Sequence, residues 1–346
     1  MKTEYVEHPD LQSEAGKREI ERAGEIIRRG GLVVFPTETV FGLGGNGLDA
    51  DAAAKIYAAK GRPSDNPLII HIAEPSEAKK YTETNELFDR LAARFMPGPL
   101  TVVLPAKQIV PRTVTAGLST VAVRCPSHPV AHALITAAGV PIAAPSANLS
   151  GSPSPTTFSH VREDLDGRVD MILGGECEIG VESTIVRLDT PSSLTLLRPG
   201  GITPEQLGEF ARVELSDAVL NKLKEGEKVQ SPGMKYKHYA PKTPLFLLRG
   251  DRDARLRYLS RQSGRFAVLA GKDEIETLHR HPSSPVLFDF GDDPAVRLHR
   301  LFYLLREADK AGCERIYAAL PSTEGLSLAL YNRLIRAAAY QIIDTN

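Results

Sequence analysis

Short apolar runs alternate with longer amphipathic stretches along almost the whole chain, and this alternation restricts the fold more than any other feature. Leu32-Val33-Val34-Phe35 is closed by Pro36 and reads as a buried strand. Ahead of it, residues 14–29 carry Ile20, Ala23, Ile26 and Ile27 at helical spacing, and Gly30-Gly31 supplies the stop. The same reading gives helices over 50–59, 85–95 (with Asn85 at the N-cap position) and 129–138. It gives strands over 68–72, 100–104, 121–124, 142–144, 171–173, 184–188 and 194–197. A second α/β pattern starts at residue 245, with strands over 245–248, 266–269, 286–290 and 315–320 and helices near 252–261, 294–310 and 326–340. Strand–helix alternation with crossovers of this length predicts a mainly parallel, Rossmann-like sheet in that part.

Between the two patterns the texture changes. A polar stretch from residue 213 runs into SPGMKYKHYAPKTP, where Pro and Gly break regular structure, so residues 213–244 read as a linker. The expected organisation of the 346 residues is therefore a first domain over 1–212, a linker or lid over 213–244 and a second domain over 245–346. The linker is chemically unusual, because Tyr236, His238 and Tyr239 place rings and cations where Gly and Ser would serve.

Charge and cysteine content exclude several classes. Forty-two Lys and Arg against 43 Asp and Glu leave a net charge of -1, without the basic excess of a nucleic-acid coat. Cys125, Cys177 and Cys313 are isolated, with no CxxC or His/Cys cluster, which speaks against zinc and against a disulfide-stapled secreted fold. The start MKTEYVEHPD is polar, and no apolar run reaches the roughly 20 residues of a membrane span, so a cytoplasmic protein without membrane attachment is expected.

Four segments carry candidate chemistry. Gly42-Leu43-Gly44-Gly45-Asn46-Gly47 matches G-x-G-x-x-G, but six residues separate it from the preceding strand, and no acidic residue follows at the distance a dinucleotide site needs. It is expected to be a glycine-rich turn with several left-handed positions. No P-loop and no G-x-S-x-G elbow occur. Lys60-Gly61-Arg62-Pro63 sets two cations beside a helix end. They either complement the helix dipole or clamp an anion, Lys as a point charge and Arg as a planar fork. His71 lies in the next strand, close to that pair in sequence. Ser146 and Asn148, in APSAN, follow a strand and offer neutral donors and acceptors in the loop region where α/β sheets place ligands. Arg124 ends a strand and reads either as a carboxylate binder or as a surface residue.

Read together and in order, PTETVFGLG, KGRP with NPL and His71, MPGPLT, VAVRCP, APSANLSG, ESTIV, LLRPGG and SPGMKYKHYAP make the chain resemble the Sua5/YrdC/YwlC family, the L-threonylcarbamoyladenylate synthases. The resemblance covers essentially the whole chain, is strongest over residues 17–244, and is closer to the long, two-domain members. It implies a YrdC-like α/β fold, a twisted mixed sheet with a concave cavity, joined to a small C-terminal Rossmann-like parallel-sheet domain. It implies a nucleotidyltransferase that makes threonylcarbamoyl-AMP and pyrophosphate from ATP, L-threonine and bicarbonate or CO2. That product would be handed to the tRNA threonylcarbamoyltransferase machinery for t6A modification of adenosine 37.

The family signature falls on Lys60, Arg62, Ser146 and Asn148, which are the expected catalytic residues. The same resemblance suggests Lys60, Arg62, Asn66, Thr120, Asn148, Thr156 and Arg198 for ATP, with Mg2+ carried by the nucleotide and not held by protein side chains. It suggests Thr39, His71, Arg124, Ser146 and Ser183 for L-threonine. Residues 231–241 are expected to close as a lid, with Tyr236 and His238 touching nucleotide. The alternatives are a non-catalytic module binding tRNA or double-stranded RNA, a carbamoyltransferase of hydrogenase maturation, and a hydrolase built on Cys125 or Ser146. Weak tRNA binding is an expectation compatible with the main reading.

Overall fold

The computed structural model describes residues 2–221, 239–280 and 284–346. Among these, the chain divides into one unit of residues 2–150 and 154–221 and another of 151–153 and 239–346.

The first unit is built on a mixed sheet. Its strands are β1 (Glu4–Val6), β2 (Val33–Phe35), β3 (Gly42–Asn46), β4 (Ile69–His71), β5 (Leu100–Pro105), β6 (Thr120–Arg124), β7 (Ile142–Ala144), β8 (Met171–Leu173), β9 (Thr184–Thr190), β10 (Ser193–Arg198) and β11 (Arg212–Leu215). They lie in the order β1-β8-β2-β3-β7-β4-β6-β5-β9-β10-β11. Parallel pairs such as β4/β6 and β5/β9 alternate with antiparallel ones such as β3/β7 and β5/β6. The helix Glu14–Arg28 starts at Ser13, whose side chain accepts from Gly16 N–H, and it buries Ile20, Ala23 and Ile27. These residues pack with Leu134 and Ile135 of the helix Pro129–Ala138 and with Val33, Phe35 and Leu173 of the sheet. Each large apolar side chain buried there contributes about 1.5–3 kcal/mol.

The glycine-rich segment departs from expectation. Gly42–Asn46 is strand β3, not a turn, and none of Gly42, Gly44, Gly45 and Gly47 has a left-handed backbone. The glycines are there for packing: a Cβ on Gly44 would stand 2.7 Å from Ile142 Cγ2 and 2.8 Å from Phe35 Cε1. Through its glycines β3 thus lies close against its neighbours, while Leu43 of the same strand is buried in the core.

Residues 212–215 also differ from their reading as the approach to a linker. They form β11, parallel to β10, and a short helix follows at Asp217–Leu220. Arg212, Glu214 and Leu215 of β11 are exposed at the sheet edge, so the strand carries a polar sequence that imitates a linker. β1 was equally invisible, because three half-exposed residues show no periodicity.

The second unit has β12 (Leu245–Arg249), β13 (Phe266–Ala270), β14 (Val286–Asp289), β15 (Arg315–Ala319) and β16 (Ile342–Asp344), all parallel, in the order β14-β13-β15-β12-β16. This is the Rossmann-like sheet the sequence predicts, with β16 and the helix Lys272–Leu278 added. Its core joins Leu248, Phe266, Val268 and Tyr317.

Candidate active site

The register of the central strands fixes the site. Thr120, Ala122 and Arg124 alternate along β6 and therefore share one face. Ile69 and His71 of β4 stand opposite Ala122 and Arg124, while Val103 and Thr101 of β5 stand opposite the same two residues from the other side. Ile185 of β9 is paired with Thr101. Ile69, Val103, Ala122, Ile185 and Leu197 form one buried apolar cluster, so the middle of this face is an apolar floor. Polar groups stand at its two ends.

At one end are the cations and the amide loop. Lys60 closes the helix Ala50–Lys60, and Gly61 turns the chain with φ +60, a conformation that favours glycine. The C-cap N–H of Gly61 donates to Ala58 O at 3.2 Å, and Arg62 N–H donates to Tyr57 O at 2.9 Å. Lys60 is buried. Its Nζ donates to the carbonyls of Ser146 and Asn148, the latter at 2.6 Å, and its own carbonyl accepts from Ser150 N–H at 3.0 Å. Lys60 therefore holds the 146–150 loop from both side chain and backbone. Burial, reinforced by Arg62, pushes its ammonium well below the ordinary lysine value, and Asp164 and Glu182 oppose that shift.

Arg62 Nη2 donates to Asn66 O at 3.4 Å and Pro67 O at 3.3 Å. Ser146 Oγ donates to Asn148 Oδ1 at 2.6 Å, and Asn148 Nδ2 donates to Leu149 O at 2.8 Å. The Asn66 side chain is buried, yet its Oδ1 has no hydrogen-bond partner among the described residues. A buried orphan acceptor is costly unless a ligand or water satisfies it. Thr120, half-buried, begins β6 at this end.

At the other end Arg124 is the hub. Its Nη2 donates to Glu38 Oε1 at 2.7 Å and Thr39 Oγ1 at 2.8 Å, and its buried Nε has no partner among the described residues. Thr37 and Thr39 hydroxyls lie 2.7 Å apart, and Glu38 Oε2 accepts from Ser127 N–H at 3.2 Å. His71 sits beside Arg124 in register, with Nδ1 3.3 Å from Ile142 O. Burial first, and the Arg124 charge second, lower its pKa to about 3, so the imidazole is neutral. Ser183 Oγ is 2.7 Å from Thr101 Oγ1, and Arg198 donates to Ser183 through Nε at 3.1 Å and Nη2 at 3.2 Å.

The structure thus brings Thr39, His71, Arg124 and Ser183 to one end, and Lys60, Arg62, Asn66, Thr120, Ser146 and Asn148 to the other. Arg198, expected with the nucleotide, hydrogen-bonds Ser183. Thr156 is half-buried in the loop after Pro155 and makes no side-chain hydrogen bond among the described residues. Tyr236 and His238 lie outside the described residues.

Glu38 and Thr101 were not anticipated. A carboxylate between two threonines in an otherwise apolar stretch was the available signal for Glu38; Thr101 gave none beyond its place in a strand. A cysteine nucleophile is contradicted. Cys125 is buried, burial pushes its thiol up to about 12, and its Sγ faces Ala73 O. Among the described residues no three His, Cys, Asp or Glu side chains converge as metal donors, and no helix is long and apolar enough to cross a membrane.

Comparison with known proteins gives a consistent picture. The Sua5/YciO/YrdC family model, described as "Telomere recombination", matches residues 25–200, and the model "Threonylcarbamoyl-AMP synthase, C-terminal domain" matches residues 202–339. The threonylcarbamoyl-AMP synthases of Pyrococcus abyssi and Bacillus subtilis are each 44% identical to the chain, over 93% and 94% of it and 94% of each relative. The crystal structure of P. abyssi Sua5 complexed with L-threonine superposes with a TM-score of 0.87 at 40% identity, covering 99% of both chains.

Proposed function

The chain belongs to the Sua5/YrdC/YwlC family, and we propose on that premise that it is an L-threonylcarbamoyladenylate synthase, with L-threonine held at the Arg124 end of the β6 face and ATP at the Lys60 end. The observation that carries this reading is the layout of that face. Thr120 and Arg124 are the two ends of one strand, about 13 Å apart at roughly 3.3 Å per residue. Between them lies the apolar strip of Ile69, Val103, Ala122 and Ile185. An amino-acid end and a nucleotide end joined across an apolar floor suit a ligand that is charged at both extremities. The near-balanced charge of the chain gives the RNA-binding alternative no support.

The chemistry follows from the groups present. The threonine carboxylate docks on the Arg124 guanidinium, whose buried Nε lacks a partner. The threonine amine, once deprotonated, adds to CO2, or to bicarbonate with loss of water, and forms the N–C bond of a carbamate. A carbamate oxygen then attacks the α-phosphorus of ATP. The P–O bond to the β-phosphate breaks, and pyrophosphate leaves with the electron pair.

Such a transfer needs positioning and charge neutralisation more than a covalent nucleophile. Arg62, the side-chain amides of Asn66 and Asn148 and the hydroxyl of Ser146 supply positioning, and Lys60 keeps the loop that carries Ser146 and Asn148. Mg2+ enters as the ATP complex, where it neutralises charge on the phosphates. The product would pass to the machinery that modifies adenosine 37 of tRNA. The test is pyrophosphate release measured with each substrate omitted in turn. Dependence on both L-threonine and bicarbonate supports the reading, and release without threonine overturns it.

A further inference from the structure

The second unit has a cleft that this chemistry does not use. In the order β14-β13-β15-β12-β16, β13 and β15 are neighbours, but the chain leaves β13 toward β14 on one side and leaves β15 toward β16 on the other. Such a reversal opens a crevice outside the carboxyl ends of the strands, where open parallel sheets bind their ligands. A cleft of about 200 Å³ lies there, lined by residues just past β13, β14 and β15. That is below the ~300–1,000 Å³ of sites for drug-sized molecules, so the occupant is small.

The lining charges identify its class. Arg252, Arg255 and Arg297 face the cleft together with Asp273, Glu274 and Asp292. Arg255 and Glu274 close on each other at 2.6 Å, with side chains 19% and 17% exposed, and so neutralise one pair. Arg297 is held in place by its Nε, which donates to Gly291 O at 2.9 Å, and by the Phe290 ring 5.8 Å beneath its guanidinium carbon. Its terminal nitrogens donate to nothing among the described residues, and the Asp292 carboxylate accepts nothing among them. Arg252 Nη2 donates to the Asp273 carbonyl at 3.1 Å and to Thr277 Oγ1 at 3.4 Å, and its Nη1 lies 3.4 Å from Asp253 Oδ1 in an exposed pair; the Asp273 carboxylate accepts nothing among the described residues.

A polyanion would meet the carboxylates here, and an apolar guest would strand the charges of both signs. A small molecule bearing one carboxylate and one ammonium satisfies both. We propose that this cleft binds a free α-amino acid as its zwitterion, with the carboxylate on Arg297 and Arg252 and the ammonium on Asp292 and Asp273.

Calorimetric titration of the full chain with each standard L-amino acid, and with inorganic phosphate and AMP as anion probes, tests the proposal. At least one amino acid should bind saturably, and both Arg297→Gln and Asp292→Asn should weaken that binding by about tenfold or more. Threonine-dependent pyrophosphate release should stay unchanged in both variants, which separates this site from the one on β6. If Arg297→Gln disturbs the Gly291 turn, Asp292→Asn still decides, since that exposed side chain has no hydrogen bond to lose. The proposal is overturned if no amino acid binds in a way that Asp292→Asn weakens, or if phosphate or AMP occupies the cleft and amino acids do not.

Discussion

Arg124 and Glu38 meet at 2.7 Å with both side chains only 5% exposed, and this buried pair organises the amino-acid end of the site. Removing one partner of such a pair leaves a buried charge uncompensated, at a cost of about 3–5 kcal/mol. Glu38→Ala should lower the urea-unfolding free energy by that order. Arg124→Ala should cost a similar amount, and the double variant should cost clearly less than the sum. Additive losses in this cycle would show that the two charges do not depend on each other.

Arg124→Lys keeps the charge but loses the planar fork, which is not a conservative change at a carboxylate site. The KM for L-threonine should rise by about 30-fold or more, equivalent to roughly 2 kcal/mol, with the KM for ATP nearly unchanged. Steady-state kinetics varying each substrate separately measures the split. Equal rises in both constants would speak against Arg124 acting at one end only.

Lys60 ties the helix Ala50–Lys60 to the loop that presents Ser146 and Asn148. Lys60→Met should therefore lower kcat/KM for ATP by about 100-fold or more, a loss of roughly 3 kcal/mol. It should also speed amide exchange over residues 146–150, which a residue acting only on phosphate would leave alone.

His71 gives the acid side of stability a defined sign. Its folded pKa of about 3 lies below the ordinary 6.5, so between these values the unfolded chain takes up a proton that the folded chain refuses. Stability is fully present above pH 6.5 and is lost as the pH falls toward 3, by up to about 4–5 kcal/mol from this group. Unfolding of the wild type and of His71→Asn from pH 7 to 4 should show a steeper decline in the wild type; parallel curves would refute the assignment.

Cys125 should be inert. With its thiol pushed up to about 12 by burial, iodoacetamide at neutral pH should leave activity intact, and Cys125→Ala should retain it. Inactivation that substrate prevents would reopen a role for the thiol.

Much of the scaffold was legible because buried strands such as Val33–Phe35 and Ile142–Ala144 are continuous apolar runs bounded by Pro or Gly. β3 was not, because its glycines serve the close approach of Phe35 and Ile142, a tertiary demand without a local signature. β11 was missed because an edge strand with exposed polar side chains looks like a linker. In the site, Lys60, Arg62, Ser146 and Asn148 stood out through their motifs. Arg124 alone was ambiguous until the fold placed Glu38, 86 residues away, beside it. The position of Arg198 depends on the β9/β10 register, which sequence pattern does not supply.

The most direct measurement of the central claim is the mass of the product formed from ATP, L-threonine and ¹³C-bicarbonate. The account predicts threonylcarbamoyl-AMP carrying the labelled carbon, with one pyrophosphate released per product, and loss of both in Arg62→Ala protein that remains folded. AMP without the carbamoyl group, or pyrophosphate release that ignores L-threonine, would contradict it.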